Sequence, residues 1–469
     1  MKRVVVVGGG ISGLSTAWLL QDAAKTAGVA LEVTVLEQAD QTGGKIRSTR
    51  EAGFLCEWGP NGFLDSKPHT LDLCTRLGIA HQLLRSNDTA RKRFIYSEGQ
   101  LHQLPHNGLS FLKSSLLSLP GKLRLLAEPF AKPSMDPDES LADFGRRRLG
   151  DEALRKLIAP MASGIFAGDP DRMSLRSCFP RIAELEEQYG GLFKAMIRLA
   201  RQKKKDAAAG KVSGSAAGPG GVLTSFKPGI QFLTDTLARS LGSQVVTGVS
   251  VESLTKTDAG WCVRGSSGIH IEADSVILAV PAYEAAKITR PIDAGLSEVL
   301  TSIPYSPLKV VCFGYETAGL GHDLDGFGYL VPKEERRTVL GTLWDSSMFE
   351  SRAPEGYALV RSMVGGACRP DLASRDAGEI EELVRQDIQQ IMGITRAPSF
   401  VKTIEHQQAI PHYTVGHGQR LVQINSLLKK YQGLFLTGNA FKGVGLNDCV
   451  LASRETADSV LAELQSCIR

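Results

Sequence analysis

The sequence predicts an α/β protein built around a Rossmann-type βαβ unit at its N-terminus. Three observations carry that prediction. Residues 4–7 are four consecutive valines, the pattern of a parallel strand buried on both faces. Gly8, Gly9 and Gly10 follow at once, and apolar residues then recur at helical spacing through Leu20. Residues 31–37 (LEVTVLE) alternate as a second strand does.

The glycines fall as Gly8-x-Gly10-x-x-Gly13. The first permits a tight turn after the strand, the second lets backbone approach a pyrophosphate, and the third lets the helix pack on the strand. Gly9, Ile11 and Ser12 complete that turn and open the helix, whose free N–H groups and dipole favour negative charge. Glu37, with Gln38 beside it, ends the second strand 24 residues beyond Gly13, where a carboxylate can accept from ribose hydroxyls.

At 469 residues the chain needs two or three domains. Hydrophobic residues make up 42% and charged residues 22%, as in ordinary globular proteins. A net charge of +4 carries no nucleic-acid signature. None of the eight cysteines forms a C-x-x-C pair, so no metal site is expected. Met1-Lys2-Arg3 precedes only four valines, too short a run for a signal peptide, and no transmembrane stretch is expected.

Further along, residues 107–130 read as amphipathic helical pieces broken at Pro120, with leucines that include Leu116 and Leu117 interleaved with basic residues. Residues 138–163 read as helical and contain Arg146-Arg147-Arg148. Residues 203–221 are small, polar and glycine-rich, hence a flexible loop. Residues 222–242 read as helix, 245–280 and 305–365 as strands, and 377–393 as helix. The tail reads as strand LFLTG, a glycine loop and a helix from Leu446.

Three segments add to the first motif. Gly43-Gly44-Lys45-Ile46-Arg47 resembles the double glycine with which flavin oxidases of the glutathione-reductase type pass close to their cofactor; Arg47 offers a cation to the cofactor or, equally, a surface salt bridge. Gly59-Pro60-Asn61-Gly62 is a turn whose backbone could face a flavin ring, leaving Asn61 as a neutral polar group in the site, free to orient substrate or polarise the flavin edge and so a candidate catalytic residue. Gly438, then Val444-Gly445-Leu446, form a second glycine loop before a helix, suited to the end of a flavin where reduction places negative charge. No Ser/His/Asp signature appears, which suits chemistry carried by a cofactor.

These segments, with RKRFIYSEGQLHQLP, ADFGRRRLGDEA, SGIFAGDPDRMSLRSCFP, DGFGYLVP, IPHYTVGH and TGNAFKGVGLNDC, resemble in order the oxygen-dependent protoporphyrinogen and coproporphyrinogen III oxidase family. The resemblance implies noncovalent FAD in a discontinuous domain (1–85, 222–290 and 400–469). It also implies a mixed-sheet substrate domain (86–106 and 291–399) and a helical, membrane-docking subdomain (107–202). It places Lys45 and Val251 among the FAD contacts. It sets Arg93 against a substrate propionate and lines a flat tetrapyrrole pocket with Gly164, Ala167, Leu330, Leu343 and Met363. Taken alone, Arg93 follows Arg91 and Lys92 and reads as part of a solvated basic run. The implied partners are a porphyrinogen, molecular oxygen, a membrane surface and, in many members, a second subunit; the implied location is cytoplasmic, peripheral to the inner face of the cell membrane. Two departures stand out. His406 occupies a position often tryptophan in the family, and Met363 one that is aromatic in some members. An amine oxidase, a carotenoid-type desaturase and a non-catalytic flavin protein remain as alternatives; GNAFKGVG in place of W-E-G speaks against the first.

Overall fold

The computed structural model describes residues 1–105, 108–208 and 221–466. Lys2–Val7 lies at the centre of a five-stranded parallel sheet, in spatial order Val245–Val246, Leu31–Leu36, Lys2–Val7, Ser275–Leu278, Leu434–Leu436. The valine run is apolar throughout because both faces are covered. Val4 and Val6 pack towards the helices Ile11–Thr26, Gln231–Leu241 and Leu446–Ser466, while Val5 and Val7 face a three-stranded meander and the helices Ala282–Thr289 and Ala294–Thr301. N- and C-terminal segments therefore meet on one sheet, and the two terminal helices touch through Ser453 Oγ, which donates to the Ser12 carbonyl at 3.0 Å.

The second sheet has seven strands, in order Phe400–Pro411, Tyr305–Glu316, Tyr357–Gly365, Val339–Leu343, Gly328–Leu330, Arg93–Ser97, Gln100–Gln103. One face is buried under the helix Ala377–Met392 through Tyr96, Tyr329, Val311, Val360 and Val364. Asp376 caps that helix by accepting from the Gly378 amide at 2.8 Å, and Gly393 ends it in the left-handed conformation. The other face looks back across Phe54, Cys56 and Trp58 towards the dinucleotide-binding part.

Several expectations are corrected. Residues 400–411 pair along the substrate-side sheet, so the FAD segment drawn from 400 begins too early. Residues 294–303 pack on the five-stranded sheet through Leu296, Val299, Leu300 and Ile303, so they do not belong with the substrate-side sheet. The stretch 222–226 is not helix: Leu223–Phe226 is a strand pairing with Phe63–Leu64 and Leu83–Arg85. Pro120 starts a helix rather than breaking one. It sits in the first turn of Leu119–Leu126, where its missing N–H costs nothing, and Ser118 Oγ accepts from the Gly121 amide at 3.1 Å. Residues 203–208, expected in a loop, continue the helix Leu192–Ala208; residues 209–220 of that loop lie outside the described residues.

Two of the three arginines turn inward, while Arg146 stays exposed. Arg148 is fully buried and paired with Glu128 and Glu186, and Arg147 binds Glu139 and Glu186. This network ties the helical part together. Leu116 and Leu117 are likewise buried, at 2% and 4% exposure, so the outward leucines of this region are others.

Candidate active site

The glycine turn has the geometry of a phosphate cradle. A Cβ on Gly13 would stand 1.9 Å from the Gly8 carbonyl oxygen, so any side chain there separates helix from strand. A Cβ on Gly10 would meet no protein atom within 4 Å, which leaves free space above the first turn of the 16-residue helix Ile11–Thr26. The Gly43–Gly44 turn runs directly alongside: the Gly43 amide donates to the Gly9 carbonyl at 2.9 Å, and Gly10 and Gly43 form a bridge. Glu37 closes the opposite side and accepts from the Gly9 amide at 2.6 Å and the Ala39 amide at 2.9 Å. Each oxygen keeps a lone pair for a hydroxyl donor. Gln38 is exposed beside it, and Val251 opens a neighbouring strand, half-buried.

Gly438 lies next to this cradle, its Cβ position 4.0 Å from Ser12 Oγ. From there the chain runs through Val444, Gly445 and Leu446 into the 21-residue terminal helix. Residues from the two ends of the sequence thus border one elongated space, and the donors present (helix N-terminus, close backbone, acidic residue) fit a dinucleotide such as FAD.

Lys45 stands between the two parts. Its ammonium donates to the carbonyls of Gln408 and Ala409, both at 2.5 Å, and lies 5.3 Å from the Tyr305 ring centre. Burial lowers its pKa to about 8. Arg47 stacks over Trp58 at 4.4 Å. The Trp58 carbonyl lies 2.9 Å from His406 Nε2, and the two rings meet edge to face at 6.3 Å. An indole from the 54–58 hairpin therefore lies beside His406. Burial lowers the His406 pKa, which favours the neutral ring.

The Gly59–Gly62 turn is pressed tightly into place. A Cβ on Gly62 would be 2.2 Å from the Thr224 carbonyl oxygen, and one on Gly59 would be 2.8 Å from that of Lys45. Pro60 is exposed at the apex. Asn61 does not offer a free amide, contrary to expectation. Its Nδ2 donates to Asp345 Oδ1 at 2.9 Å, and its Oδ1 accepts from Arg361. Arg361 also donates through Nε to Asp345 Oδ2 at 2.9 Å and through Nη1 to the carbonyls of Glu57 (3.0 Å) and Gly59 (2.7 Å). All three residues are buried, so the flavin-side turn and the substrate-side sheet are joined by one satisfied cluster. Sequence reading missed Arg361 and Asp345. The available signal was an arginine in the apolar strand YALVRSMVGG, which a strand buried on both faces tolerates only as a paired charge.

The remaining candidates come together through strand register. Arg93, Gly328, Leu343 and Arg361 form one row across four adjacent strands, and Ile95, Leu330, Gly341 and Met363 form the row two residues on. Residues two apart in a strand share a face, so Arg93, Leu330, Leu343 and Met363 all point to the side facing the flavin-side turn. Leu330, Leu343 and Met363 are only half-buried there. Gly164 and Gly341 leave room for the Leu330 side chain, each with its Cβ position under 3 Å from it, at 2.7 and 2.8 Å. Ala167 caps the helix Ala159–Phe166 in the left-handed conformation and packs in the same cluster as Met363. Arg93 stacks on Phe327 at 4.9 Å and has no carboxylate partner among the described residues, whereas Arg91 pairs with Asp88 and Lys92 with Asp325. It borders a cleft of about 570 Å³ with Leu104, Leu223 and Phe327. Among the described residues no cluster suited to a metal ion occurs, and no helix is long and apolar enough to cross a membrane.

Residues 11–461 match the family model of flavin containing amine oxidoreductases. The chain is 33% identical to the chloroplastic protoporphyrinogen oxidase of Oryza sativa subsp. japonica, over 97% of its own length and 87% of the relative's. It is 29% identical to the coproporphyrinogen III oxidase of Bacillus subtilis (strain 168), over 99% of both. The crystal structure of a protein assigned as protoporphyrinogen oxidase from Exiguobacterium sp. 255-15 superposes with a TM-score of 0.83 at 27% identity, covering 99% of each chain. The cradle, the shared sheet and these likenesses agree: the chain belongs to the flavin containing amine oxidoreductases, in the group of the protoporphyrinogen and coproporphyrinogen III oxidases, and its cofactor is FAD.

Proposed function

We propose that this enzyme oxidises a porphyrinogen, protoporphyrinogen IX or coproporphyrinogen III, to the porphyrin in haem synthesis, with oxygen as the final electron acceptor. The observation that carries the reading is the pair of adjacent rows, Arg93 and Leu343 in one and Leu330 and Met363 in the next, on one sheet face opposite the Gly59–Gly62 turn. A porphyrinogen is a broad, mainly apolar ring with carboxylates at its rim, and needs an apolar wall ending in a cation.

FAD, when bound, supplies the hydride acceptor. The protein's own residues supply position. Gly10 and the helix behind it hold the pyrophosphate, Glu37 a ribose, and Lys45 and Arg47 add positive charge. Leu330, Leu343, Met363, Ala167 and Gly164 hold the ring flat and keep water from its face. Arg93 holds a propionate with its planar fork. Asn61 acts through its bonds to Arg361 and Asp345, setting the turn and not the chemistry. The test is direct: FAD-loaded protein is mixed with each porphyrinogen in air, and porphyrin fluorescence and peroxide are followed. Fluorescence rising no faster than without protein, for both substrates, refutes the reading. The ratio of the two rates assigns the preferred substrate.

We also infer that the protein is cytoplasmic and rests on a membrane through its helical part. Leu119, Leu123 and Leu126 lie along one side of their helix at 71%, 60% and 50% exposure, with Leu112 at 58% and Phe130 at 88%. Lys113 and Lys132 flank them, a pairing of apolar and basic groups suited to an anionic lipid surface. Leu123→Asp with Phe130→Asp should abolish co-sedimentation with anionic vesicles; undiminished binding by a folded variant overturns this inference.

A further inference from the structure

The IPHYTVGH segment, residues 410–417, has no part in the roles assigned so far, yet it sits where the helical part, the substrate-side sheet and the C-terminal flavin loop converge. The Tyr413 carbonyl accepts from the Ser174 amide at 2.9 Å, and the Val415 amide donates to the Arg172 carbonyl at 2.9 Å. The Gly416 amide donates to Asp138 Oδ2 at 2.7 Å. IPHYTVGH is therefore hydrogen-bonded to the SGIFAGDPDRMSLRSCFP segment.

The Tyr413 side chain reaches the other way. Its ring is 2% exposed and stacks on His417, with centres 4.1 Å apart and planes 9° from parallel. Its hydroxyl accepts from the Gly443 amide at 2.9 Å and donates to the Asn439 carbonyl. One hydroxyl thus satisfies an N–H and a C=O four residues apart in the loop that begins beside Ser12 and ends at the terminal helix. The loop is also held by the Phe441 amide on the Gly438 carbonyl at 3.2 Å, by Lys442 paired with Glu455 and by the buried Ala440, while Gly438 and Gly443 both have positive φ, at 127° and 115°.

We propose that Tyr413 is a positioning residue that holds loop 439–443 in its FAD-binding shape. The hydroxyl makes both bonds only while it is a neutral phenol, and burial raises the Tyr413 pKa, so it stays protonated throughout the working range. His417 is the slab behind it. Its ring lies beside the Ala440 backbone, and burial lowers its pKa to about 4, so the ring is neutral and serves mainly by its flat face. The role depends on FAD being the cofactor and not on which substrate is oxidised, so it stands or falls separately from the porphyrinogen reading.

The test uses Tyr413→Phe, which keeps the ring and the stack and removes the hydroxyl. FAD affinity of the apoprotein is titrated by flavin fluorescence, and the absorption and circular dichroism spectra of the reconstituted protein are compared. Amide hydrogen exchange is followed across 438–445. The expected result is a ten- to hundred-fold rise in the FAD Kd, a changed flavin circular dichroism and at least tenfold faster exchange at Gly443. His417→Phe, which preserves the slab, should change the Kd by less than threefold. A stability loss with Kd, spectra and Gly443 exchange unaltered would make Tyr413 merely structural and overturn the proposal. Should Tyr413→Phe not fold, the wild-type apoprotein decides: a Gly443 amide exchanging at the unprotected rate also overturns it.

Discussion

Replacing Arg361 by methionine should destabilise the protein more than any surface ion-pair substitution. Arg361 donates to Asp345, to Asn61 and to the carbonyls of Glu57 and Gly59, and its side chain is 2% exposed against 1% for Asp345. Methionine fills much of the volume but leaves a buried carboxylate with the Asn61 amide as its only side-chain donor among the described residues. Removing one partner of a buried pair costs about 3–5 kcal/mol, a factor of roughly 10² to 10³ or more in the folding equilibrium. Arg396–Glu316, 42% and 51% exposed at 2.8 Å, is the internal control, and its loss should cost no more than about 1 kcal/mol. Urea denaturation of the FAD-loaded variants, followed by tryptophan fluorescence, reads both. Asp345→Asn combined with Arg361→Gln removes the charges together and should cost less than the sum of the single changes, with a coupling of at least about 1 kcal/mol. If Arg361→Met costs no more than Arg396→Met, the cluster does not join the two parts as described.

The two conserving glycine changes should fail differently. Gly10→Ala should give a folded, colourless protein, since its Cβ clears every protein atom but enters the cofactor's space, whereas Gly13→Ala should lower the melting temperature of the apoprotein itself. FAD affinity should weaken as pH rises above about 8, by up to tenfold per unit. There the free enzyme's Lys45 loses its proton, while a bound pyrophosphate would hold that proton on; Lys45→Met should flatten the profile, and a wild-type Kd constant from pH 7 to 9.5 refutes the contact. Arg93→Ala should lower kcat/KM for a porphyrinogen by roughly ten- to a hundred-fold with the flavin spectrum unchanged. Arg93→Lys should restore it only in part, and full activity in Arg93→Ala returns the residue to the basic run of 91–93.

What could be read from the sequence follows from how locally each feature is encoded. The cradle was legible because strand, glycine turn, helix and acidic residue are consecutive, and the structure joins Glu37 directly to the glycine turn through the Gly9 amide. The tail helix was placed correctly by its own glycine loop. Pairing decides the rest. Residues 400–411 could not be assigned to the right sheet from their composition, since a strand's partner is set by register with Tyr305–Glu316, not by its own residues. Leu223–Phe226 was overlooked because four residues between Phe63–Leu64 and Leu83–Arg85 are held by their neighbours and carry almost no periodicity of their own.

The candidate site divides along the same line. Met363, Leu330 and Leu343 are separated by up to 33 positions in sequence and become one surface only through two-residue offsets in three paired strands. Asn61 shows the converse. In the sequence it is a free amide in a turn, and its chemistry suggests a role towards substrate. Only the fold supplies Asp345 and Arg361, 284 and 300 positions away, which take up both ends of the amide. A polar side chain in a flavin-side turn is thereby converted from a reagent into a strut. The same logic explains why two segments that carry the resemblance, SGIFAGDPDRMSLRSCFP and IPHYTVGH, are legible as motifs and opaque as mechanism. They bind each other through backbone, at Ser174 with Tyr413 and at Arg172 with Val415, so neither sequence alone carries its purpose.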